Sequence, residues 1–102
     1  MAKVMKIEGI FGDYNVIMEK KRYYNGNLAI QLMCHDDEYD FWEPYGMLTV
    51  NFDQKLPEGF AYVDTNNMPN AEQFIKKYNL GVHQGKFKMS GFCCYPLYKF
   101  FD

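Results

Sequence analysis

The side chains best suited to chemistry are three cysteines and two histidines: Cys34, His35, His83, Cys93 and Cys94. Thiolate and imidazole groups are preferred zinc ligands, and a cysteine beside a histidine can act as a nucleophile. Cys93 and Cys94 are adjacent, however, so on a strand they point to opposite faces, whereas zinc sites usually separate paired cysteines by about two to four residues. No strand–nucleophile–helix elbow is present. We therefore expect buried, inert cysteines, no catalytic residue, no metal and no cofactor.

A possible ligand loop is the segment formed by Asp64, Thr65, Asn66 and Asn67. It lies between a predicted strand and a predicted helix, where backbone amides converge on a ligand, and Asp64 with Asn66 could hold a cation or a polar substrate. The alternative is that Asp64 and Thr65 bond nearby amides while the asparagines accept the turn geometry. The segment has neither a glycine-rich loop nor the spaced acids of a calcium loop, so no ligand is named.

The most unusual stretch is a ten-residue run, from Asp36 to Tyr45, that holds five of the thirteen acids, the only tryptophan and three other aromatic residues. It lies between two strand patterns and predicts a surface loop. Its carboxylates can imitate a row of phosphates while its rings are buried in a partner. The alternative is that Phe41 and Trp42 fold back over the core as a lid, and both interpretations remain open. The predicted contact residues, termed the acidic–aromatic segment, are Asp36, Asp37, Glu38, Tyr39, Asp40, Phe41 and Trp42.

A short basic stretch, Lys20 to Arg22, is followed by Tyr23 and Tyr24. Cations interleaved with aromatic rings can bind single-stranded nucleic acid. The whole chain has eleven Lys and Arg against thirteen Asp and Glu, a formal charge of -2, whereas nucleic-acid-binding domains are usually strongly basic. A solvated hairpin edge is the preferred interpretation, and no direct nucleic-acid binding is expected.

The length of 102 residues predicts a single domain, 1–102. A chain of this size buries about 60 to 70% of its unfolded surface, which is enough for one core. The sequence shows neither an apolar run of about 20 residues nor a signal-peptide pattern, so no membrane contact is expected. An odd number of cysteines is not a disulfide framework, and free thiols favour a cytoplasmic location.

Alternating polar and apolar residues predict several strands and one helix. Asn25-Gly26 predicts a type I′ hairpin turn. The helix is predicted over Ala71 to Tyr78, with Asn70 as its N-cap, Gln73 completing a capping box and Gly81 as the left-handed C′ residue. The predicted strands are Val4 to Phe11, Asn15 to Tyr24, Leu28 to Cys34, Met47 to Asp53, Phe60 to Asp64 and the region Lys86 to Phe100, with a bulge at Gly91 and an edge or exit at Pro96.

These elements predict an α+β fold: one antiparallel sheet of five to six strands, with one helix in the C-terminal half packed on one face. Five short segments, which occur in the same order along the chain, also resemble a family of small uncharacterised α+β proteins carried on conjugative elements and phages of gut Firmicutes and their neighbours. The resemblance covers Tyr23 to Phe100. The run from Asp36 to Asp40 departs from the family pattern, because it is longer and more acidic than expected before Glu43-Pro44-Tyr45. The five segments are Asn25 to Leu32, Glu43 to Tyr45 with Leu48 to Asn51, Val63 to Asn67, Asn70 to Ile75, and Ser90 to Tyr98.

The resemblance implies a mobile-element context, and it implies no established enzymatic activity and no catalytic residues. We therefore expect a non-enzymatic interaction protein that inhibits a host defence protein, such as a CRISPR nuclease or a restriction enzyme, through the acidic–aromatic segment. Its partner would have a basic groove. The alternatives are a small-ligand-binding or hydrolytic domain that uses Asp64 to Asn67, and a β-scaffold that forms a homodimer through an exposed strand.

Overall fold

The structure is a computed structural model, and it describes residues 3–9 and 12–101. Residues 10 and 11, which end the predicted first strand Val4 to Phe11, lie outside the described residues. Within the described part the chain forms eight strands and one helix. They are β1 (Met5–Gly9), β2 (Gly12–Arg22), β3 (Leu28–Asp36), β4 (Phe41–Met47), β5 (Thr49–Val50), β6 (Phe60–Val63), α1 (Ala71–Lys77), β7 (Gly81–Ser90) and β8 (Cys93–Phe100).

The strands form two antiparallel sheets of four strands, with the orders β1-β2-β3-β4 and β5-β6-β8-β7. The predicted antiparallel α+β architecture with one helix in the C-terminal half is therefore confirmed. The predicted single sheet of five to six strands is wrong. No helix within the described residues has the length and hydrophobicity to cross a membrane.

The two sheets separate at Leu48, in the middle of the predicted strand Met47 to Asp53. Met47 ends β4, and Leu48 changes partners: its N–H donates to the Ile30 carbonyl at 2.9 Å, and its carbonyl accepts from the N–H of Asp64 at 2.9 Å. Leu48 is fully buried between the sheets. Alternating burial predicted an extended chain here, but it carries no information about which strand each residue pairs with.

The last predicted strand region, Lys86 to Phe100, is a hairpin of two strands, β7 and β8. Gly91 lies in the turn between them with φ 60°, and the bulge lies earlier in β7, near Gly85 with φ 73°. Pro96 is not at an edge, because β8 lies between β6 and β7. Proline has no backbone N–H to donate to a neighbouring strand. Pro96 is nevertheless accommodated in β8, because β6 pairs only with residues 97–99 of β8 and its ladder of hydrogen bonds ends before Pro96.

The predicted hairpin at Asn25-Gly26 is confirmed, but its turn type is not I′. The Gly26 N–H donates to the Tyr23 carbonyl at 2.8 Å, and the Tyr23 N–H donates to the Asn27 carbonyl at 2.9 Å. Gly26 has φ 86°, whereas Asn25 is not among the residues with positive φ. This combination corresponds to a type I turn followed by a left-handed glycine, the usual three-residue hairpin loop.

The helix occupies the predicted region and Asn70 is its N-cap residue, but the predicted capping box is not formed and Gly81 is not the left-handed residue. Asn70 makes no side-chain capping bond, and its Nδ2 atom donates instead to the Glu8 carbonyl of β1 at 3.0 Å. At the other end Asn79, with φ 53°, is the left-handed residue. The N–H of Leu80 donates to the Ile75 carbonyl at 2.9 Å, which completes a Schellman-type end.

The core lies between the two sheets and the helix. Further hydrogen bonds hold the helix and its C-cap residue Tyr78 to the two sheets: the Lys6 N–H of β1 donates to the Tyr78 hydroxyl at 2.7 Å, and the Tyr98 hydroxyl of β8 donates to Glu72 Oε2 at 2.5 Å. The buried residues that form the core cluster are Met5, Ile7, Val16, Ile30, Leu32, Leu48, Ala61, Val63, Met68, Ala71, Phe74, Ile75, Tyr98 and Phe100.

Candidate interaction site at the β3–β4 hairpin

The acidic–aromatic segment forms the tip of the β3–β4 hairpin. It was predicted as a loop, but β3 continues to Asp36 and β4 begins at Phe41, so only residues 37–40 form the turn. His35 pairs with Trp42, and Asp36 pairs with Phe41. The acids and rings are therefore placed by a paired backbone, which holds them more firmly than an unpaired loop would.

Asp36 shapes the turn from within. Its Oδ1 atom accepts hydrogen bonds from the backbone N–H groups of Glu38 at 2.9 Å and Tyr39 at 3.2 Å. An aspartate that bonds backbone amides two and three residues later stabilises a tight turn. Asp40 then takes the left-handed conformation, with φ 54°, which aspartate tolerates better than most residues. Asp36 is therefore a structural acid as well as a predicted contact residue.

His35 lies between two of the other carboxylates. Its Nδ1 atom is 2.8 Å from Oδ1 of Asp37, and its Nε2 atom is 3.1 Å from Oδ1 of Asp40. The hydrogen bond with Asp37, reinforced by the one with Asp40, raises the pKa of His35 above its ordinary value. The imidazole ring also packs edge-on against Trp42, with centroids 5.0 Å apart. When protonated, His35 donates to both acids and joins the two ends of the turn.

The two acids bound to His35 and the aromatic rings of the segment are exposed to solvent. The side chains of Asp37 and Asp40 are 94% and 93% exposed. Tyr39 is 69%, Phe41 45% and Trp42 37% exposed. Phe41 and Trp42 thus do not form the lid over the core that the sequence left open. An exposed cluster of aromatic rings on a hairpin tip resembles the centre of a protein interface more than ordinary surface.

The segment also concentrates the negative charge of the protein. With Glu43, it contains five acids, and the remaining eight acids face eleven Lys and Arg, a surplus of three positive charges. The lysine and arginine ion pairs found in the described part of the chain, Lys21–Glu19 and Arg22–Glu58, lie elsewhere. The tip is therefore an acidic pole on a chain that is otherwise slightly basic.

The loop Asp64 to Asn67 is closed by its own hydrogen bonds. Both carboxylate oxygens of Asp64 accept from Asn67, Oδ1 from its N–H at 3.1 Å and Oδ2 from its Nδ2 at 3.0 Å. Asp64 is buried, Thr65 is half-buried and Asn66 is exposed. This arrangement matches the turn interpretation for Asp64, and ligand binding by these four residues stays a prediction.

The cysteines and histidines do not converge. Cys34 lies half-buried on β3, Cys93 lies half-buried on β8, and Cys94 is exposed beside it, so none of the three is fully buried as expected and the expectation is plainly wrong for Cys94. Burial raises the pKa of the Cys34 thiol, which keeps it protonated. Among residues 3–9 and 12–101, no three His, Cys, Asp or Glu side chains come together as a possible metal site. The two acids bound to His35 contact opposite ring nitrogens and do not share a centre.

The basic stretch of β2 forms a solvated strand end, as predicted. β1 pairs with β2 only as far as Val16, so Lys20, Lys21 and Arg22 pair on one side only, with β3. Arg22 forms an ion pair with Glu58, and Lys21 donates to the Gln31 side chain at 2.8 Å. Tyr23 is bound to Thr49 through its hydroxyl at 2.9 Å, and the absence of direct nucleic-acid binding stays a prediction.

Two features of possible function were missed in the sequence. His35 was considered as a metal ligand or a base, although its spacing of two and five residues from Asp37 and Asp40 was the available signal for a hydrogen-bonded turn. The neighbouring rings of Tyr14 and Tyr45, with centroids 5.3 Å apart, come from different strands. No local pattern connects them, since their contact depends on the strand order.

The fold and the tip define a small α+β protein with two antiparallel sheets and an exposed acidic hairpin. The chain belongs to the family described as a domain of unknown function (DUF4313), which matches residues 17–102. The match confirms the expected membership of an uncharacterised family. It leaves out β1 and the start of β2, which supply Met5, Ile7 and Val16 to the core. No curated protein and no solved structure matches the chain.

Proposed function

We propose that this protein is a non-enzymatic interaction protein that binds a partner with a basic groove through the acidic–aromatic segment. The observation that carries the proposal is the exposed, hydrogen-bonded tip itself. Asp37 and Asp40 are almost fully solvated, yet their positions are fixed by His35. A preorganised charged surface loses less conformational entropy on binding than a mobile loop, so more of its interaction energy appears as affinity.

The chemistry of the tip suits a surface that normally binds nucleic acid. Grooves for nucleic acid are lined with Lys and Arg that contact phosphates. Closely spaced carboxylates can form ion pairs with the same side chains. Long-range attraction raises the rate of encounter, while desolvated aromatic side chains supply most of the affinity. Tyr39 and Phe41 are the most exposed rings of the segment and serve as the anchors.

The specific partner we propose is a host defence protein that acts on nucleic acid, namely a CRISPR nuclease or a restriction enzyme. The resemblance to proteins of conjugative elements and phages supports this target, because such elements must survive these nucleases. The concentration of acids at the tip supports a basic groove as the contact surface. Under this proposal the protein competes with the DNA or RNA substrate and has no catalytic step of its own.

The test is inhibition of DNA cleavage by a panel of purified CRISPR nucleases and restriction enzymes. The tip variant combines Asp37→Asn, Glu38→Gln and Asp40→Asn and keeps Asp36, which holds the turn. The charge-matched control combines Asp13→Asn, Glu19→Gln and Asp53→Asn, which lie outside the tip.

We expect the wild type and the control to inhibit at least one nuclease, and the tip variant to be weaker by about tenfold or more. Inhibition should also weaken as salt concentration rises. Absence of inhibition across the panel, or equal inhibition by the tip variant, would overturn the proposal.

A second candidate function, homodimerisation, is favoured by strand β7. This strand is at the edge of its sheet and exposes Val82, Phe87 and Met89, while Phe92 in the following turn is fully exposed. Exposed edges pair readily with other strands. Light scattering over a range of concentrations tests this function: a dimer that the double variant Phe87→Ser, Met89→Ser dissociates would support it, and a concentration-independent monomer would exclude it.

A further inference from the structure

A large cleft lies between the first sheet and the loop that leads into the helix. Its volume is about 690 Å³, and its wall includes Tyr14, Tyr45, Asp64, Met68 and Pro69. Small-molecule sites usually occupy about 300 to 1,000 Å³ and combine apolar walls with a few polar groups. The cleft shares no residue with the acidic–aromatic segment, so it is a separate candidate site.

One wall of the cleft is aromatic. The rings of Tyr14 and Tyr45 lie 5.3 Å apart at an interplanar angle of 50°. Gly9 makes room for this arrangement, because a Cβ atom at that position would lie 2.6 Å from Cε2 of Tyr14. Burial raises the pKa of Tyr45, so its phenol stays neutral. Neutral aromatic rings have electron-rich faces, which attract cations.

The buried carboxylate of the cleft wall is Asp64. It is only 8% exposed. Its two oxygens accept hydrogen bonds from Asn67, but within residues 3–9 and 12–101 no Lys, Arg or His forms an ion pair with it. Buried charges in proteins are usually paired with an opposite charge. Asp64 therefore contributes a negative charge that is hydrogen-bonded but not neutralised.

The described wall of the cleft also contains no basic residue. An anionic ligand such as a phosphate or a carboxylate would therefore meet Asp64 without any compensating cation. A neutral ligand would leave the charge of Asp64 unused. A cation with an apolar body fits this wall best. It pairs with the carboxylate of Asp64, lies against the tyrosine rings and covers the side chain of Met68.

We propose that this cleft binds a small organic cation, an ammonium group attached to an apolar body. Asp64 is the counter-ion, Tyr14 and Tyr45 contact the cationic head through their rings, and Met68 packs against the apolar part. Asn67 holds the carboxylate in place through its two hydrogen bonds. The site lies outside the proposed contact with a defence protein and does not depend on it.

The binding test uses NMR titration of the whole protein with choline and with benzyltrimethylammonium. The uncharged probes are 3,3-dimethylbutan-1-ol, which has the shape of choline, and benzyl alcohol. We expect the cations to shift the ring signals of Tyr14 and Tyr45 and the methyl signal of Met68. We also expect them to bind at least about tenfold more tightly than the uncharged probes. No shift at millimolar concentration, or equal binding of charged and uncharged probes, would overturn the proposal.

Variants separate a binding role from a structural one. Asp64→Asn keeps an oxygen that can accept from Asn67 but removes the charge, and it should weaken cation binding by about tenfold or more. Tyr14→Leu should weaken binding several-fold, whereas Tyr14→Phe, which keeps the ring, should bind almost as the wild type does. Tyr24→Leu is the control, since Tyr24 is 86% exposed and lies outside the cleft. Wild-type affinity in both Asp64→Asn and Tyr14→Leu would exclude the proposed site.

Discussion

Oδ1 of Asp37 lies 2.8 Å from Nδ1 of His35, and this contact joins the turn of the β3–β4 hairpin to the strand before it. A second contact joins the other ring nitrogen to Asp40 at 3.1 Å. Both contacts are strongest when the imidazole carries a positive charge, because the hydrogen bonds are then charge-assisted. The order of the acidic–aromatic segment is therefore linked to pH.

The first prediction concerns the direction of that linkage. The pKa of His35 is raised in the folded protein, chiefly by its hydrogen bond with Asp37. A raised pKa means that the stabilisation is fully present below the unfolded value of about 6.5 and is lost as the pH rises through the folded pKa. We expect the segment to be most ordered in mildly acidic solution. The measurement is the hydrogen-exchange protection factor of the amides of Glu38 and Tyr39, that is, the intrinsic exchange rate divided by the observed rate at the same pH.

Two matched variants assign the effect. NMR titration of His35 should give a lower midpoint in Asp37→Asn than in the wild type, and a smaller decrease in Asp40→Asn, because the contact with Asp37 contributes more. Glu38→Gln removes a neighbouring charge without touching the ring and is the control. A midpoint for His35 that does not fall in Asp37→Asn would contradict the prediction.

The second prediction concerns the bond between the helix and the second sheet. Tyr98 is 7% exposed, and its hydroxyl donates to the carboxylate of Glu72 at 2.5 Å. Tyr98→Phe removes this bond but keeps the ring, and we expect the free energy of unfolding in urea to fall by about 1 to 2 kcal/mol. Tyr39→Phe, on the exposed hairpin tip, should leave that free energy unchanged.

The same tyrosine gives an alkaline signature. Burial, reinforced by the bond to Glu72, raises the pKa of Tyr98 well above its usual range. Its contribution to stability is therefore complete below the ordinary value of about 10 and is lost as the pH rises through the higher folded value. Between those limits the wild type should lose more stability than Tyr98→Phe does. Parallel curves for the two proteins would show that Tyr98 does not titrate as expected.

The third prediction concerns Asn27, a buried polar residue that joins the β2–β3 turn to residues 51–56. Its Nδ2 atom donates to Asn51 Oδ1 at 3.1 Å and to the Gln54 carbonyl at 2.8 Å, and its Oδ1 atom accepts from the Leu56 N–H at 2.9 Å. Asn27 is 4% exposed, so its partners have little access to water.

Because Asn27→Ala leaves these partners unsatisfied at about 1 to 3 kcal/mol for each buried group, we expect the free energy of unfolding to fall by at least about 2 kcal/mol. Asn66→Ala, at an exposed position, is the matched control and should change it by less than about 0.5 kcal/mol. Similar unfolding curves for the two variants would show that the bonds of Asn27 contribute little.

How far the sequence determines this fold depends on the range of the interactions. Periodicity placed the helix and most strands because it reports burial within one segment, as for Phe74 and Ile75. It did not divide the chain at Leu48, since that residue changes pairing partner without changing burial. The two-sheet arrangement depends on such long-range pairing.

The same distinction applies to the candidate sites. The acidic–aromatic segment was visible because its unusual composition is continuous in the sequence. Its pairing as a hairpin was not visible, because residues such as Phe41 and Trp42 occur both in strands and in loops that bind partners. The tyrosine cleft was not visible at all, since Tyr14 and Tyr45 are thirty-one positions apart in the sequence and come together only through the first sheet.

The final prediction distinguishes the two residues that follow the helix. The sequence suggested Gly81 as the left-handed residue, but Asn79 has that conformation, with φ 53°. Gly81 is required for a different reason. A Cβ atom there would lie 2.7 Å from the Lys99 carbonyl oxygen and 3.1 Å from Cα of Phe100, both parts of the backbone of β8.

Substitutions at the two positions should therefore differ in their effect on the free energy of unfolding. Asn79→Gly should be neutral or stabilising by a few tenths of a kcal/mol, because glycine adopts the left-handed conformation without steric cost. Gly81→Ala should lower the free energy of unfolding by about 1 to 3 kcal/mol, since the added methyl group must displace backbone. Urea denaturation of both variants measures the difference. A Gly81→Ala protein as stable as the wild type would show that the backbone of β8 accommodates the methyl group, and a destabilised Asn79→Gly protein would contradict the left-handed conformation of Asn79.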